Sequence, residues 1–260
     1  MSEFDLSKTL TRRDLIGCVA AATAGVSALS VFPEKAFALE KSSPIELAQD
    51  DVVLFQGDSI TDNGRHKKNF GPNDLGALGR GYAMMISTGL LGRYSSLRLR
   101  CYNRGISGHK VPDLQARWQS DTVDLNPAVL SILIGVNDIW HKLSGKYDGT
   151  VADYERGFTK LLADTRRDLP ETRLVICEPF VLRCGAINET WFPEFDERRA
   201  VARSVSDAAG ATWVPFQSMF DDAVNETTEA AYWAGDGVHP TLAGHALMAK
   251  TWLEVTGLGG

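Results

Sequence analysis

Short apolar runs alternate with longer amphipathic stretches along the chain from about residue 52 onward. Several of the runs are almost continuously apolar, which is typical of parallel strands buried on both faces. They predict strands at Val52–Gln56, Leu97–Asn103, Val129–Ile134, Arg173–Glu178 and Ala211–Phe216. The clearest helices are predicted at Gly81–Leu91, Val151–Asp168, Phe195–Ala209 and Thr241–Glu254, the last preceded by Pro240, a residue type that suits the first turn of a helix. This alternation indicates an α/β fold in which helices cover both faces of a parallel sheet.

Composition favours one folded domain. The chain has 260 residues, of which 44% are hydrophobic, and this is enough for one substantial core. No internal repeat, low-complexity tract or second compositional zone interrupts it, so we expect one domain over residues 51–260. The formal net charge of −6 gives no electrostatic reason to bind nucleic acid or anionic lipid.

The first 38 residues have the organisation of an export signal. The Arg12-Arg13 pair precedes a weakly apolar, small-residue run, and Ala36-Phe37-Ala38 follows as a cleavage site. We therefore expect a cleaved twin-arginine signal over residues 1–38, a linker over 39–50, and a periplasmic or extracellular bacterial protein without stable membrane association. An ordinary secretory leader and an uncleaved membrane anchor are the alternatives.

Glycines and polar residues cluster in four loops, three of which directly follow predicted strands. Gly57-Asp58-Ser59 comes after the first strand, residues 105–109 after the second, and residues 135–138 after the third. Asp236-Gly237-Val238-His239 lies just before the last predicted helix. Because ligands bind beyond the carboxyl ends of the strands in such sheets, we expect these loops to form one site.

The four loops supply every group that acyl transfer by a serine needs. Ser59 offers the hydroxyl, and its own N–H, the N–H of Gly108 and the side-chain amide of Asn137 offer donors to an oxyanion. Asp236 and His239 are three residues apart, a spacing that lets the carboxylate orient the imidazole. The G-x-S-x-G turn of the α/β-hydrolases is matched neither by residues 57–61 nor by residues 105–109.

Together these loops resemble the SGNH (GDSL-type) hydrolase family. The matching blocks, in the order of the family, are Phe55–Thr61, Asn103–Gly108, Ile134–Asp138 and Asp236–Pro240. The resemblance implies a flavodoxin-like three-layer α/β/α sandwich with a five-stranded parallel sheet. It also implies hydrolysis of esters or thioesters through an acyl-enzyme, without metal or cofactor. By matched position, Ser59 is the nucleophile, Asp236 and His239 complete the triad, and Gly108 and Asn137 are oxyanion donors.

Further residues are candidates for contacting the substrate: Asp58, His109, Trp140, Trp191 and Trp233. Indole rings stack on sugars, although tryptophan more often packs half-buried. Asp58 and Asp138 are interpreted chiefly as residues that hold their loops. Outside the triad the histidines are His66, His109, His141 and His245, which lack zinc-ligand spacing, and of these we expect only His109 to line the pocket.

The sequence thus predicts an exported serine esterase that removes short acyl groups, chiefly acetyl, from a small-molecule or polysaccharide ester, so residues 51–260 would be its catalytic domain. The alternatives are a lysophospholipase or thioesterase acting on longer chains and, more distantly, a non-catalytic carbohydrate-binding protein. Cys101 and Cys177 are expected to be buried thiols, and a Cys177–Cys184 disulfide is left open.

Overall fold

The computed structural model of the chain describes residues 44–68, 71–225 and 228–259. These residues belong to one compact unit, Leu39–Gly260. The export signal expected over residues 1–38 lies outside the described residues. Within the described ranges, no helix has the length and apolar character needed to cross a membrane.

The centre of the fold is a five-stranded parallel sheet with the order β2-β1-β3-β4-β5. This is the order of flavodoxin-like folds, and it confirms the predicted α/β architecture. The strands are β1 Val52–Gly57, β2 Arg100–Asn103, β3 Val129–Leu133, β4 Arg173–Cys177 and β5 Thr212–Val214. All five predicted strands are present. The second is shorter than predicted, because residues 95–97 form a 3₁₀ turn that ends at Arg98 in the left-handed conformation.

Helices fill the connections between the strands. In chain order they are α1 Ser59–Asp62, α2 Leu75–Leu78, α3 Tyr82–Arg93, α4 Val111–Asp121, α5 Val136–Leu143, α6 Val151–Asp168, α7 Glu194–Ala208, α8 Phe216–Ala223, α9 Ala230–Trp233 and α10 Leu242–Val255. The four predicted helices are observed as α3, α6, α7 and α10. Pro240 is not in the first turn of α10, because Thr241 is the N-cap and its hydroxyl accepts a hydrogen bond from Gly244 N–H at 3.2 Å.

Alternating strand residues build a separate apolar core on each face of the sheet. Val53 and Phe55 of β1 face one core, which includes Trp252 of α10, and α3 packs against α10 there. Leu54 faces the other core, which includes Phe158 of α6, and α4 and α7 pack against α6 on that side. Each fully buried large apolar side chain contributes about 1.5–3 kcal/mol. The two cores confirm the three-layer arrangement.

The residues just before β1 are part of the folded unit. Ile45 is buried, and its N–H donates to Thr256 O at 3.0 Å. The N–H of Asp50 donates to Leu97 O at 2.7 Å. Residues 44–50, part of the expected linker 39–50, are therefore attached to the domain through the buried Ile45 and the partly buried Leu47, while the other residues of this segment are exposed.

The described cysteines are free thiols. Cys101 and Cys177 are buried as predicted, and burial raises the pKa of Cys101 to about 11 and that of Cys177 to about 12. Cys177 Sγ lies 3.5 Å from Ser131 Oγ, and Cys184 Sγ lies 3.2 Å from Ala234 O. The two sulfurs contact different elements, so the Cys177–Cys184 disulfide considered from the sequence is not formed.

A buried histidine of α10, His245, connects the start of α3 to the end of α1. The N-cap of α3, Gly81, has no side chain, and His245 Nδ1 accepts the N–H of Tyr82 at 3.1 Å instead. The other ring nitrogen, Nε2, lies 2.5 Å from the side-chain amide nitrogen of Asn63, the residue that ends α1. Burial, with a smaller contribution from the charge of His239, lowers the pKa of His245 to about 4. His245 is thus neutral in the folded state.

We expect acid to destabilise the fold through His245. In the unfolded chain this imidazole binds a proton near pH 6.5, whereas the folded state resists protonation to about pH 4. The stability it contributes is complete above the unfolded pKa and is lost as the pH falls through this window, on the order of 2 kcal/mol. Urea unfolding of wild type and His245→Gln at neutral pH and at about pH 4.5 checks this. The wild type should lose more stability on acidification; equal losses would contradict it.

Candidate active site

The nucleophile turn depends on a glycine at the end of β1. Gly57 has φ +156°, and a Cβ there would lie 2.4 Å from both Leu133 O and Thr61 Oγ1. Asp58 is the N-cap of α1, accepting the N–H of Ile60 at 3.0 Å. Helix α1 consequently begins at Ser59, beyond the carboxyl edge of the sheet. Within the described part of the chain, no acceptor takes the N–H of Ser59.

Ser59, His239 and Asp236 form a continuous hydrogen-bonded chain. Ser59 Oγ is 2.8 Å from His239 Nε2, and His239 Nδ1 is 2.7 Å from Asp236 Oδ2. The other carboxylate oxygen, Oδ1, accepts the N–H of Val238 at 2.9 Å and that of His239 at 2.7 Å. Asp236 therefore shapes the turn and orients the ring. The His239 side chain is 44% exposed, so the site is open to solvent.

The protonation of this chain follows from the environment of Asp236. Partial burial raises its pKa, but hydrogen bonds from the His239 ring and from two backbone N–H groups outweigh burial and hold the pKa below its usual value. The carboxylate is ionised at neutral pH and keeps the proton of His239 on Nδ1. Nε2 is then free to accept the hydroxyl proton of Ser59, which is the arrangement of a serine nucleophile with its base.

The chain segment after β4 supports the Asp236–His239 turn. Leu182 N–H donates to Gly237 O at 2.8 Å, and Ala186 N–H donates to Asp236 O at 2.9 Å. A backbone this close leaves no room for a side chain, and a Cβ on Gly237 would lie 2.5 Å from Leu182 O. This support was not predicted from the sequence, because backbone hydrogen bonds to a distant loop leave no residue-type signal.

Gly108, a predicted oxyanion donor, lies in the loop after β2, and the other, Asn137, lies in the first turn of α5 just after β3. Gly108 has φ +81°, a conformation that favours glycine, and its N–H has no acceptor among the described residues. Asn137 Nδ2 donates to His109 O at 3.2 Å. That bond fixes the amide and leaves its second hydrogen available. Helix α5 and the loop after β2 are thereby joined by a group that can also bind an anion.

Asp62, at the end of α1, connects this helix to residues 105–109, which we call the oxyanion loop after the donor proposed at Gly108. Its Oδ2 accepts the N–H of Ser107 at 3.0 Å and the hydroxyl of Ser107 at 2.7 Å, and it pairs with Lys67 at 2.7 Å. Burial raises the pKa of Asp62, but the bonds from Lys67 and Ser107 outweigh it, so the pKa is lowered. Ser107 precedes Gly108. Asp62 therefore positions the loop that carries this donor, a role the sequence did not reveal.

Two of the predicted substrate contacts are wrong because their side chains are buried. Asp58 is 1% exposed, and its carboxylate caps α1; burial raises its pKa to about 7. Trp191 is 3% exposed and packs between Trp140 and Phe195, with ring centroids 5.6 and 6.3 Å away. Asp58 therefore holds its loop, as interpreted from the sequence. Trp191 packs against Trp140 from the core side.

The other predicted contacts differ in their surroundings. Trp140 is half-buried, and its ring centroid lies 5.8 Å from that of His239. Trp233 donates from Nε1 to Ala223 O at 3.2 Å, and its ring contacts Tyr232, so its indole is held by residues of α8 and α9. The imidazole of His109 accepts from Arg117 Nε at 3.2 Å. Trp140 is thus the tryptophan placed directly beside the triad.

Asp138 and His141 complete this part of α5. Asp138 is buried, accepts the N–H of Val111 at 3.4 Å, and has its pKa raised to about 7 by burial, so it holds its loop as predicted. The lining of the site by His109 stays a prediction, and His141 is a second histidine near the same loop. A Cβ on Gly108 would lie 3.7 Å from His141 Cε1, so this ring also borders the oxyanion loop. Its signal in the sequence is the four-residue spacing from Asn137.

The described residues contain no group of three or more His, Cys, Asp or Glu side chains able to hold a metal ion. The arrangement itself offers a hydroxyl, an imidazole, a carboxylate and N–H donors. These can form and hydrolyse an acyl-serine.

Comparison with known proteins agrees with this geometry. The sequence model of the GDSL-like lipase/acylhydrolase family matches residues 55–247. The chain belongs to this family. It is 31% identical over 218 residues to an acetylxylan esterase from Geobacillus stearothermophilus, covering 82% of this chain and 97% of that one. The resemblance stated from the four sequence blocks is confirmed, and the protein is a carboxylic ester hydrolase.

Solved structures of GDSL-family and related hydrolases share the fold. A GDSL-like lipase from Parabacteroides merdae superposes with a TM-score of 0.80 at 49% identity, covering 83% of this chain and 99% of that one. An α/β hydrolase from the metagenome of Lake Arreo gives a TM-score of 0.75 at 30% identity, covering 83% and 99%. The five-stranded sheet with its helices is thus the family architecture.

Removal of the Asn137 amide should impair turnover. We expect Asn137→Ala to lower kcat on a nitrophenyl acetate about 100- to 1000-fold with little change in KM, because the oxyanion forms only after the serine attacks. Asn126→Gly is the matched control: Asn126 is exposed and has φ +45°, which glycine adopts easily. A rise in KM at unchanged kcat would show that Asn137 binds the ground state instead.

Proposed function

We propose that this chain is an exported serine esterase that removes acetyl groups from a carbohydrate. The observation that carries the proposal is the unbroken chain of hydrogen bonds from Ser59 through His239 to Asp236, with lengths of 2.8 and 2.7 Å. In the Geobacillus stearothermophilus acetylxylan esterase, a serine-to-alanine and a histidine-to-alanine change are both catalytic mutants. A serine and a histidine, Ser59 and His239, are likewise the first two members of the hydrogen-bonded chain in this protein.

The proposed reaction has two halves. Ser59 Oγ attacks the ester carbonyl carbon while His239 Nε2 takes the hydroxyl proton, and the N–H groups of Ser59 and Gly108 with the amide of Asn137 bind the oxyanion. The carbon–oxygen bond to the sugar then breaks, and His239 returns the proton to the leaving oxygen. Water, activated by the same imidazole, releases acetate and regenerates Ser59. Asp236 stabilises the imidazolium in both halves.

The surroundings of His239 favour a sugar as the leaving group. Since His239 must protonate the leaving oxygen, side chains beside its ring face the alcohol part of the ester. Trp140 is that neighbour, and Trp191 holds it from the core side. An indole face fixed in this way can stack on a pyranose ring. With a triad side chain 44% exposed, the site can also accept an ester that projects from a polymer.

The alternatives make different demands. A lysophospholipase or thioesterase would need an apolar channel for a long acyl chain, whereas among residues 44–68, 71–225 and 228–259 the large exposed apolar side chains are on different elements, as Leu75 on α2, Leu143 on α5 and Leu242 on α10. A non-catalytic binding protein would not need Asp236 ionised and hydrogen-bonded to the imidazole. We therefore propose short-chain deacetylation over both.

The first test compares wild type and Ser59→Ala on an acetyl and a long-chain nitrophenyl ester and on acetylated xylan, each with and without chelator. Wild type should release acetate from the acetyl ester and from xylan, unaffected by chelator, and Ser59→Ala should lose at least about 1000-fold because the acyl-enzyme cannot form. Unchanged thermal unfolding of the variant is the control. Preference for the long chain would move the assignment to lipid, and no turnover would favour the binding protein.

Export by the twin-arginine route is proposed from the sequence of residues 1–38. The test expresses the full chain in a bacterium with this pathway and measures the mass of the recovered protein in each compartment. We expect a periplasmic or extracellular product beginning at Leu39, and retention of the uncleaved chain when Arg12 and Arg13 are both replaced by lysine. Equal export of the double variant would instead indicate the general secretory route.

A further inference from the structure

Helix α5 presents one face to the active site. Asn137, Trp140 and His141 are spaced i, i+3 and i+4, which places their side chains on one side of a helix. Asn137 bonds to the oxyanion loop, Trp140 adjoins His239, and His141 borders Gly108. The first two have roles in the proposed reaction. His141 has none, although it adjoins an oxyanion donor.

His141 is a half-buried polar side chain whose ring nitrogens are not engaged. Its backbone carbonyl accepts bonds from the hydroxyl of Ser144 and the N–H of Lys146, but neither ring nitrogen bonds to any described residue. A Cβ on Gly108 would lie 3.7 Å from Cε1 and 3.9 Å from Nε2, so the Nε2 edge is turned toward the oxyanion loop. A ring nitrogen that can donate or accept a hydrogen bond therefore lies beside the loop that carries a proposed oxyanion donor.

The charges around His141 keep its ring neutral. Burial lowers its pKa, and Lys110 and Lys146 lower it further, outweighing Asp113. A neutral imidazole offers one N–H donor and one acceptor nitrogen, which is the pairing capacity of a hydroxyl group. An acetyl methyl group offers no partner to either atom. The chemistry of this ring thus fits the alcohol part of the ester.

We propose that His141 determines specificity by hydrogen-bonding the free hydroxyl adjacent to the acetylated position of the sugar. The proposal rests on the proposed deacetylase function and narrows its substrate class. The preferred substrate class is a sugar acetate with an unsubstituted neighbouring hydroxyl. The vicinal oxygens of a pyranose lie close together, so a group beside the oxyanion loop reaches the neighbour of the reacting oxygen. A site built to bond a hydroxyl discriminates against an analogue lacking it.

The experiment is a double-mutant cycle in which the His141 side chain and the neighbouring hydroxyl of the substrate are removed singly and together. Wild type, His141→Ala and His141→Gln are assayed on a methyl xyloside monoacetate, on its analogue with the neighbouring hydroxyl replaced by hydrogen, and on nitrophenyl acetate. Matched controls are His66→Gln, an exposed histidine before α2, and Trp140→Ala. Thermal unfolding of every variant is compared with that of wild type.

Wild type should lose about 5- to 30-fold in kcat/KM when the hydroxyl is removed, and His141→Ala should show the same loss on the intact sugar with no further loss on the analogue. His141→Gln should recover part of the dependence, and nitrophenyl acetate should change by less than about twofold. Trp140→Ala should slow both sugars equally.

Several results would overturn the proposal. Equal losses of His141→Ala on all three substrates would give it a structural or oxyanion role, and an undiminished hydroxyl dependence would show that it does not touch this group. A changed preference of His141→Ala between nitrophenyl acetate and nitrophenyl butyrate, assayed alongside, would place it on the acyl side. Absence of any wild-type activity on sugar acetates, with nitrophenyl acetate still hydrolysed, would reject the deacetylase function itself.

Discussion

The Asp236 carboxylate is the group on which the order of the active site depends. One oxygen holds two backbone N–H groups of its own turn, and the other holds the His239 ring at 2.7 Å. If it were protonated, its bonds to the turn and to the imidazole would weaken together. Because these bonds keep its pKa low despite partial burial, the folded turn is already prepared for proton transfer.

The parallel sheet explains why loops so distant in sequence meet. The carboxyl ends of β1, β2 and β3 are adjacent in the order β2-β1-β3, so the nucleophile turn, the oxyanion loop and α5 begin at one edge. Side chains then tie these loops together, Asp62 reaching Ser107 and Asn137 reaching His109 O. These side-chain bonds hold the loops at the edge of the sheet, and the proposed substrate contacts, Trp140 and His141, extend beside them from α5.

Much of this was predictable from sequence, for a physical reason. The strands, the glycine before Ser59 and the Asp236–His239 spacing are local features, governed by periodicity and turn geometry within a few residues. The features that could not be predicted depend on contacts between residues far apart in the sequence. Neither the burial of Trp191, nor the packing of residues 44–50, nor the support that Leu182 gives to Gly237 has a local pattern. His141 was missed although its spacing from Asn137 was visible, because the helix α5 itself was not predicted.

The central claim, an acyl-enzyme on Ser59 formed with the help of His239 and Asp236, is tested most directly by active-site labelling. The mature protein is treated with a fluorophosphonate, and the modified peptide is located by mass spectrometry. The account predicts a single adduct on Ser59, formed much more slowly in His239→Ala and Asp236→Asn. An adduct on another residue, or labelling of Ser59 at an unchanged rate without His239, would contradict it.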